Sequence, residues 1–270
     1  MDKAKKDKNW EVRMVKGLYT AYTGMINEQK RLDVISNNLA NANTTGFKKE
    51  GTTSEAFDSV LAYKLKDTTD PVKAKNIGKM SLGVKIGESY TDFSEGSLRV
   101  TDNTYDLALT DKGFFSVEFT NKNGVSSTKY TRDGSFTVTR EGNLVTKDGD
   151  FVLDNNGRRI KLDPNAEIVF GKNGTIYANG SPVAALGIKD FEDYNYLEHY
   201  GENYFQPVEG AKLKNAECDV LQGYLETSNI QVVSEMVQMI SVTRAYETNQ
   251  KLIQTIDGTL DIAANQLGKI

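Results

Sequence analysis

The chain has little of the chemistry on which many enzymes and metal proteins depend. Its 270 residues include one cysteine, one histidine and four prolines. A single cysteine excludes an intrachain disulfide, and one cysteine with one histidine does not make a Cys/His zinc site. The apolar runs are much shorter than the ~18–20 residues of a transmembrane helix. We therefore expect no disulfide, no zinc site and no membrane insertion.

Sequence patterns typical of catalysis are also missing. No G-x-S-x-G elbow and no glycine-rich phosphate loop occurs. His199 lies in the polar-aromatic stretch 196–200, so we expect a surface or structural role for it, and we expect Cys218 to be a small buried hydrophobic residue. The acidic turn 148–150 lacks the spacing of a calcium loop. The sequence predicts neither an enzyme nor a cofactor.

The net charge and residues 1–13 argue against two further classes of protein. A formal net charge of −4 argues against a nucleic-acid-binding protein, which usually carries a basic face. Residues 1–13 are rich in Lys, Asp and Glu and have no apolar core, so they do not resemble a secretory signal peptide. We expect them to form a disordered leader, with Met14 as the native start.

Two ladders of apolar residues at seven-residue spacing are the strongest pattern in the chain. The spacing keeps one stripe facing a partner helix, as in a coiled coil. In the first helix, predicted over 15–42, Ala21 and Ile35 supply part of a second row and Glu28 interrupts it. The ladders consist of Leu18, Met25, Leu32 and Leu39 in the first helix, and of Val232, Met239, Tyr246, Ile253, Leu260 and Leu267 in the last.

Between the helices, β-forming runs alternate with turn pairs. Asn-Gly and Asp-Gly pairs favour tight hairpins, so residues 82–224 are predicted to form an all-β domain, a sandwich or an open barrel. Residues 48–81 form a connecting segment with a short helix around Phe57–Leu65 and a loop at Asp67–Pro71; we expect it to be the least ordered internal part. Ser228 is a candidate N-cap for the last helix, which we place within 225–270. The predicted fold is α+β, with both helices forming a coiled-coil-like stalk.

Several segments resemble the rod, hook and hook-associated axial proteins of the bacterial flagellum. The stretch Leu18–Met25 and the longer stretch Asp33–Lys48 are similar to that family's rod signature. Further similar segments are Asp106–Leu109, Gly113–Phe115, Tyr130–Phe136, Gly142–Leu144, Gly201–Asn203, Gln222–Asn229, Glu235–Val237 and Arg244–Asn249. The resemblance covers residues 14–270 and leaves out only the leader.

The resemblance implies a structural building block. Such subunits are exported unfolded through the flagellar type III apparatus without signal cleavage, and they polymerise helically into a rod that crosses the periplasm. It implies other rod subunits and the hook protein as partners. The C-terminal helix is similar to distal rod proteins, whereas Leu18–Gly24 and Ser54–Phe57 are closer to a proximal paralogue. A hook protein, and a secreted β-domain adhesin with a helical stalk, are the alternatives.

The expected assembly interface extends beyond the ladders. Asn37, Asn38 and Asn41 either end the first helix or fix the register between subunits through hydrogen bonds. Arg244 and Glu247 are spaced either to pair on one helix or to bridge neighbouring subunits. Gly46 and Phe47 complete the interface expected from the resemblance.

Overall fold

The computed structural model describes residues 3–57, 60–63, 76–80, 83–121, 124–201 and 203–265. Within these ranges the chain forms two long α-helices, twenty β-strands and one 3-10 turn, Tyr194–Tyr196, which confirms the predicted α+β class. The helices are α1 (Lys3–Ala40) and α2 (Val232–Asn265). The strands are β1 (Glu50–Ala56), β2 (Val60–Tyr63), β3 (Asn76–Met80), β4 (Val84–Thr91), β5 (Leu98–Val100), β6 (Leu107–Leu109), β7 (Phe114–Thr120), β8 (Ser126–Thr131), β9 (Phe136–Val138), β10 (Leu144–Thr146), β11 (Phe151–Val152), β12 (Ile168–Phe170), β13 (Thr175–Ala178), β14 (Ser181–Ala185), β15 (Ile188–Phe191), β16 (Leu197–Tyr200), β17 (Tyr204–Pro207), β18 (Leu213–Asn215), β19 (Val220–Gln222) and β20 (Tyr224–Glu226).

The chain divides into two compact units, and this division differs from the predicted domains. The helical unit contains residues 1–37, 50–89 and 233–270, and the β unit contains residues 38–49 and 90–232. The predicted β domain, 82–224, therefore lacked two segments that belong to the β unit. These are the end of the rod signature, 38–49, and the residues just before α2.

Helix α1 begins earlier and ends earlier than the sequence predicted. It starts at Lys3, inside the segment expected to be a disordered leader, and ends at Ala40 instead of residue 42. Residues 3–14 contain Ala, Lys, Glu and Arg, which favour helix, and no Gly or Pro that would stop it. The expected loop at Asp67–Pro71 and the position of Leu267 lie outside the described residues.

The connecting segment contains strands where a short helix was predicted. Strand β1 pairs with β4, and β2 pairs with β3 in antiparallel register. Residues 50–56 are rich in Thr, Ser and Glu, which gave no strand signal in the sequence. The prediction of a helix around Phe57–Leu65 is wrong at β2, because β2 finds a partner strand that was not visible in the local pattern.

A nine-stranded antiparallel sheet organises the β unit. Its strand order is β16-β17-β8-β7-β11-β10-β9, and it branches because β7 also pairs with β15, which pairs with β18. A three-stranded sheet, β12-β13-β14, and the pairs β5–β20 and β6–β19 complete the unit. The turn pairs predicted from sequence join successive strands at Glu141-Gly142, Asp148-Gly149, Asn173-Gly174 and Asn179-Gly180.

Strand β7 separates two apolar clusters through the alternation of its side chains. Phe115 and Val117 lie in the main core with residues of β6, β10, β12 and β13. Phe114 points to the other face and packs against Tyr130, Phe191 and Phe205.

Neither of the described long helices, α1 and α2, has an apolar stretch of the length that a membrane span requires.

Candidate assembly site

The predicted heptad face of α1 is partly buried within the helical unit. Leu18, Met25 and Leu32 are half-buried, as is Leu39 farther along the helix. Ala21 and Ile35, expected in the second row, are buried. Glu28 accepts two hydrogen bonds from Arg31, at 3.1 and 3.3 Å, so the polar interruption of this row is paired along the same helix.

Helix α2 carries a second heptad row that the sequence did not reveal. Of the predicted ladder, Met239, Tyr246 and Ile253 are half-buried, whereas Val232 and Leu260 are exposed. A better-buried row runs three positions away from it, with Glu235 and Val242 buried and Asn249 and Ile256 half-buried. The two rows together give the alternating spacing of three and four residues that is typical of a helix–helix contact.

The contacts between the two helices run through two glycines of α1. A Cβ on Gly17 would lie 3.7 Å from Cδ1 of Ile256, and a Cβ on Gly24 would lie 3.1 Å from Nδ2 of Asn249. Seven residues forward along α1 correspond to seven residues back along α2, so the helices are antiparallel. Gly24 and Asn249 interrupt the apolar pattern, yet they are where the helices meet. The extended coiled-coil stalk itself remains a prediction.

Another face of α1 packs against the strands of the helical unit. The Asn27 side chain is buried, and its amide Nδ2 donates to Ser54 Oγ of β1 at 3.1 Å. Thr23 is also buried, and it fills the space beside Gly83, where a Cβ would overlap its hydroxyl. These polar contacts fix the rotation of α1 about its axis, because hydrogen-bonded groups that are buried are costly to separate.

A different face of α2 exposes large apolar side chains. Val233, Met236, Val237 and Ile240 follow the i, i+3, i+4, i+7 spacing of one helix face, opposite Glu235 and Val242. Val233 is 76% exposed and Val237 62% exposed. We call these four residues the open α2 face. Contiguous exposed apolar side chains of this kind mark interaction surfaces.

The structure shows the contacts that the polar interface residues make within the chain. The Asn38 carbonyl accepts from the Asn41 N–H at 3.1 Å, and Asn41 Oδ1 accepts from Thr44 Oγ1 at 3.1 Å, which supports a role in ending α1. Asn37 is exposed. Arg244 and Glu247 are both exposed, and no ion pair joins them among the described residues.

Gly46 and Phe47 are buried inside the β unit instead of lying on its surface. Gly46 has a φ of +68°, and a Cβ there would overlap the backbone of Asp133, so glycine is required both by conformation and by space. The Phe47 ring meets the His199 ring edge-on at 6.1 Å, and His199 meets Phe205 at 5.5 Å. Both are packing contacts of the kind expected for a histidine with a structural role.

The centre of the β unit contains a buried ion cluster that the sequence did not predict. Lys48 Nζ donates to Glu226 Oε1 at 2.6 Å and to the Ser94 carbonyl at 2.8 Å. Arg132 Nη1 lies 3.5 Å from Glu226 Oε2, and its Nη2 donates to the Asp111 carbonyl at 2.6 Å. All three charged side chains are at most 3% exposed. We call Lys48, Glu226 and Arg132 the buried ion cluster.

Burial and charge act in opposite directions on Lys48. Burial lowers the pKa of its ammonium group, and the neighbouring Glu226 carboxylate opposes that shift. Arg132 adds a second positive charge close by and lowers the pKa of Lys48 further. Two cations therefore share the Glu226 carboxylate in a region that excludes water, while the Glu95 carboxylate also raises the pKa of Lys48.

Backbone contacts tie the same segments together. The Gly46 N–H donates to the Glu226 carbonyl at 2.9 Å. Lys49 N–H donates to Asn229 Oδ1 at 2.8 Å, and Asn229 Nδ2 donates to the Asp92 carbonyl at 2.8 Å. The end of the rod signature and the segment before α2 are thus bonded directly to each other within the β unit.

Two further kinds of group could carry chemistry, namely the cysteine thiol and clusters of metal-binding side chains. Cys218 is half-buried, and burial raises the pKa of its thiol. Among the described residues, no group of three or more His, Cys, Asp and Glu side chains is arranged to hold a metal ion.

Comparison with family models identifies the segments that this chain shares with known proteins. Three family models match: "Flagella basal body rod protein" over residues 18–48, "Flagellar hook protein FlgE/F/G D1 domain" over 108–178, and "Flagellar basal body rod FlgEFG protein C-terminal" over 221–267. The first and the last contain Lys48 and Glu226, the two partners of the buried ion pair.

Full-length relatives carry the same identification. The chain is 34% identical to the flagellar basal-body rod protein FlgF of Caulobacter vibrioides, over 95% of this chain and 100% of that protein. It is 32% identical to the rod protein FlgG of Buchnera aphidicola subsp. Schizaphis graminum, over 92% and 98%. It is 31% identical to the flagellar hook-basal body complex protein FlhO of Bacillus subtilis, over 95% and 100%. The chain belongs to the flagellar basal-body rod protein family.

Proposed function

We propose that this chain is a structural subunit of the flagellar rod that assembles with other copies and with neighbouring components of the hook–basal body. The observation that carries the proposal is the open α2 face, on a chain whose relatives over 92–95% of its length are rod proteins. Burying four large apolar side chains against a neighbour contributes about 1.5–3 kcal/mol each when burial is complete. This gain offsets part of the entropy lost on association, and it requires no catalytic chemistry.

The polymer proposed for this chain is a helical rod that crosses the periplasm and connects the motor to the hook. The half-buried ladder residues would complete their burial against helices of adjacent subunits. Arg244 and Glu247, both exposed, would bridge to neighbours instead of pairing locally. Asn37 would contact a neighbour, while Asn38 and Asn41 act mainly at the end of α1. Delivery through the flagellar type III export apparatus, without signal cleavage, is part of the same proposal.

The place of the subunit along the rod is proposed to be proximal. This assignment rests on the segments Leu18–Gly24 and Ser54–Phe57, which depart from distal-type sequences. The alternative of a secreted adhesin with a helical stalk is not favoured, since the relatives are rod and hook–basal body proteins.

Deletion and complementation test the function. Removing the gene is expected to give non-motile cells without external flagella, and a plasmid copy is expected to restore both. Basal bodies purified from the complemented strain should contain the chain. Normal flagella and swimming in the deletion strain would contradict the proposal.

A further inference from the structure

The strongest unassigned feature is the buried ion cluster, whose three charged side chains are at most 3% exposed. We infer that Lys48, Glu226 and Arg132 form a latch that orders the two ends of the β unit together, so that neither the signature end nor the segment before α2 is stable without the other. This goes beyond the proposed function, because it concerns how one subunit closes and not what it binds.

Glu226 supplies the negative charge of the buried ion cluster. Glu226 is the carboxylate that both Lys48 and Arg132 approach, at 2.6 and 3.5 Å. Without Glu226, two cations would face each other in a buried site, and breaking a buried pair by removing one partner is strongly destabilising. The signature end is therefore unfavourable in its native position until the segment before α2 arrives.

Glu226 bonds to two other chain segments, through its carboxylate and through its backbone carbonyl. Glu226 Oε1 accepts from Lys48 Nζ and also from the Gly96 N–H at 3.0 Å. Its backbone carbonyl accepts from the Gly46 N–H at 2.9 Å. No Cβ fits at Gly96, because it would overlap the Thr227 carbonyl. Replacing the Glu226 carboxylate thus weakens contacts to Lys48 and Gly96 at the same time, whereas the backbone bond from Gly46 is kept.

The two partners of the Lys48–Glu226 contact are far apart in the sequence. Residues 48 and 226 are 178 positions apart, so closing this contact brings together the segments on either side of the β strands. Closing this contact before the intervening strands form would cost loop-closure entropy with few contacts to offset it, so we expect it to form after them. Formation of the latch therefore indicates that the intervening strands of the β unit have formed.

Amide hydrogen exchange on the full-length chain tests the latch. In Glu226→Gln, we expect exchange to rise at least tenfold in both 45–49 and 94–97, while strand β7 keeps its protection. Glu118→Gln is the matched control, because Glu118 pairs with Arg159 at an exposed site, with 50% of the Arg159 side chain accessible. That variant should leave both segments unchanged. Faster exchange in only one segment, or none in either, would overturn the inference.

A second variant keeps the test decisive if Glu226→Gln fails to fold. Lys48→Met/Glu226→Gln removes one of the two buried cations and places a side chain of similar length in an apolar form. The double variant is expected to fold more stably in urea than Glu226→Gln alone and to exchange more slowly at 45–49. A double variant no more stable than the single one would show that charge balance does not hold the ends together.

Discussion

The side-chain amide of Asn249 occupies the space above Gly24, where a Cβ would lie 3.1 Å from its Nδ2 atom. A glycine inside a helix costs about 1 kcal/mol relative to alanine, so its presence here needs a reason. The reason is close approach: α1 and α2 meet at Gly24 and, seven residues earlier, at Gly17. Two residues that weaken the apolar pattern therefore define where the helices touch.

Enlarging Gly24 should push the helices apart. Gly24→Leu is expected to lower the free energy of unfolding by about 1–3 kcal/mol relative to Gly258→Leu, because only the first side chain meets a neighbour. Gly258 is the control on α2, where a Cβ meets nothing within 4 Å. Urea unfolding followed by far-UV circular dichroism measures both. Combining Gly24→Leu with Asn249→Ala should recover part of the loss; equal stability of the two leucine variants would contradict the contact.

Replacing Gly46 should damage the β unit more than replacing a glycine of similar backbone conformation elsewhere. Gly46 and Gly157 have φ values of +68° and +76°, so alanine pays the left-handed cost of about 1–2 kcal/mol at both. At Gly157 a Cβ meets nothing within 4 Å, whereas at Gly46 it overlaps Asp133. We expect Gly46→Ala to be less stable than Gly157→Ala by a further ~1–3 kcal/mol. Thermal unfolding of the purified variants checks the order, and a reversed order would refute it.

Stability should fall at alkaline pH through Tyr204. Burial raises the pKa of its hydroxyl, as do the nearby Asp150 and Asp148 carboxylates; the hydroxyl donates to Asp150 at 2.8 Å. A folded-state pKa above the unfolded value means that the contribution is complete below pH ~10 and is lost as the pH rises further. Tyr204→Phe should cost about 0.5–1.5 kcal/mol at pH 8 and show a shallower decline above pH ~10 than the wild type.

Urea unfolding at pH 8 and pH 11 measures this difference. Comparing the variant with the wild type cancels the contributions of other groups, including Lys48. Tyr90→Phe is the control, because Tyr90 is 55% exposed. Parallel declines in the wild type and Tyr204→Phe would exclude Tyr204 as the origin.

Some of this structure could be read from the sequence because the signals are local. The seven-residue ladders located both helices, and the Asn-Gly and Asp-Gly pairs located turns between strands. Half of the contact face on α2 was missed, because Glu235 and Asn249 interrupt the buried row that contains Val242. A row with polar residues at two of its four positions does not show an apolar repeat in the sequence.

The features that escaped prediction depend on partners far away in the chain. Strand β1 has a polar composition and exists because β4 pairs with it. Glu226 is one of 37 acidic residues, and nothing near it in sequence indicates that Lys48 is its partner. Phe47 was expected at the assembly interface, but its ring is buried among aromatic residues of the β unit.

In the proposed assembly, the open α2 face joins this subunit to its neighbours in the rod. The most direct measurement is the amount of the chain in basal bodies purified from a deletion strain that expresses Val237→Asp or, as a charge-matched control, Gln250→Asp at another exposed position of α2. Both purified variants should keep wild-type circular dichroism and thermal stability, because both positions are exposed. Gln250→Asp is expected to enter basal bodies at the wild-type level, and Val237→Asp is expected to be depleted, with loss of motility. Val237→Asp present at the wild-type level in motile cells would show that the open α2 face does not join subunits.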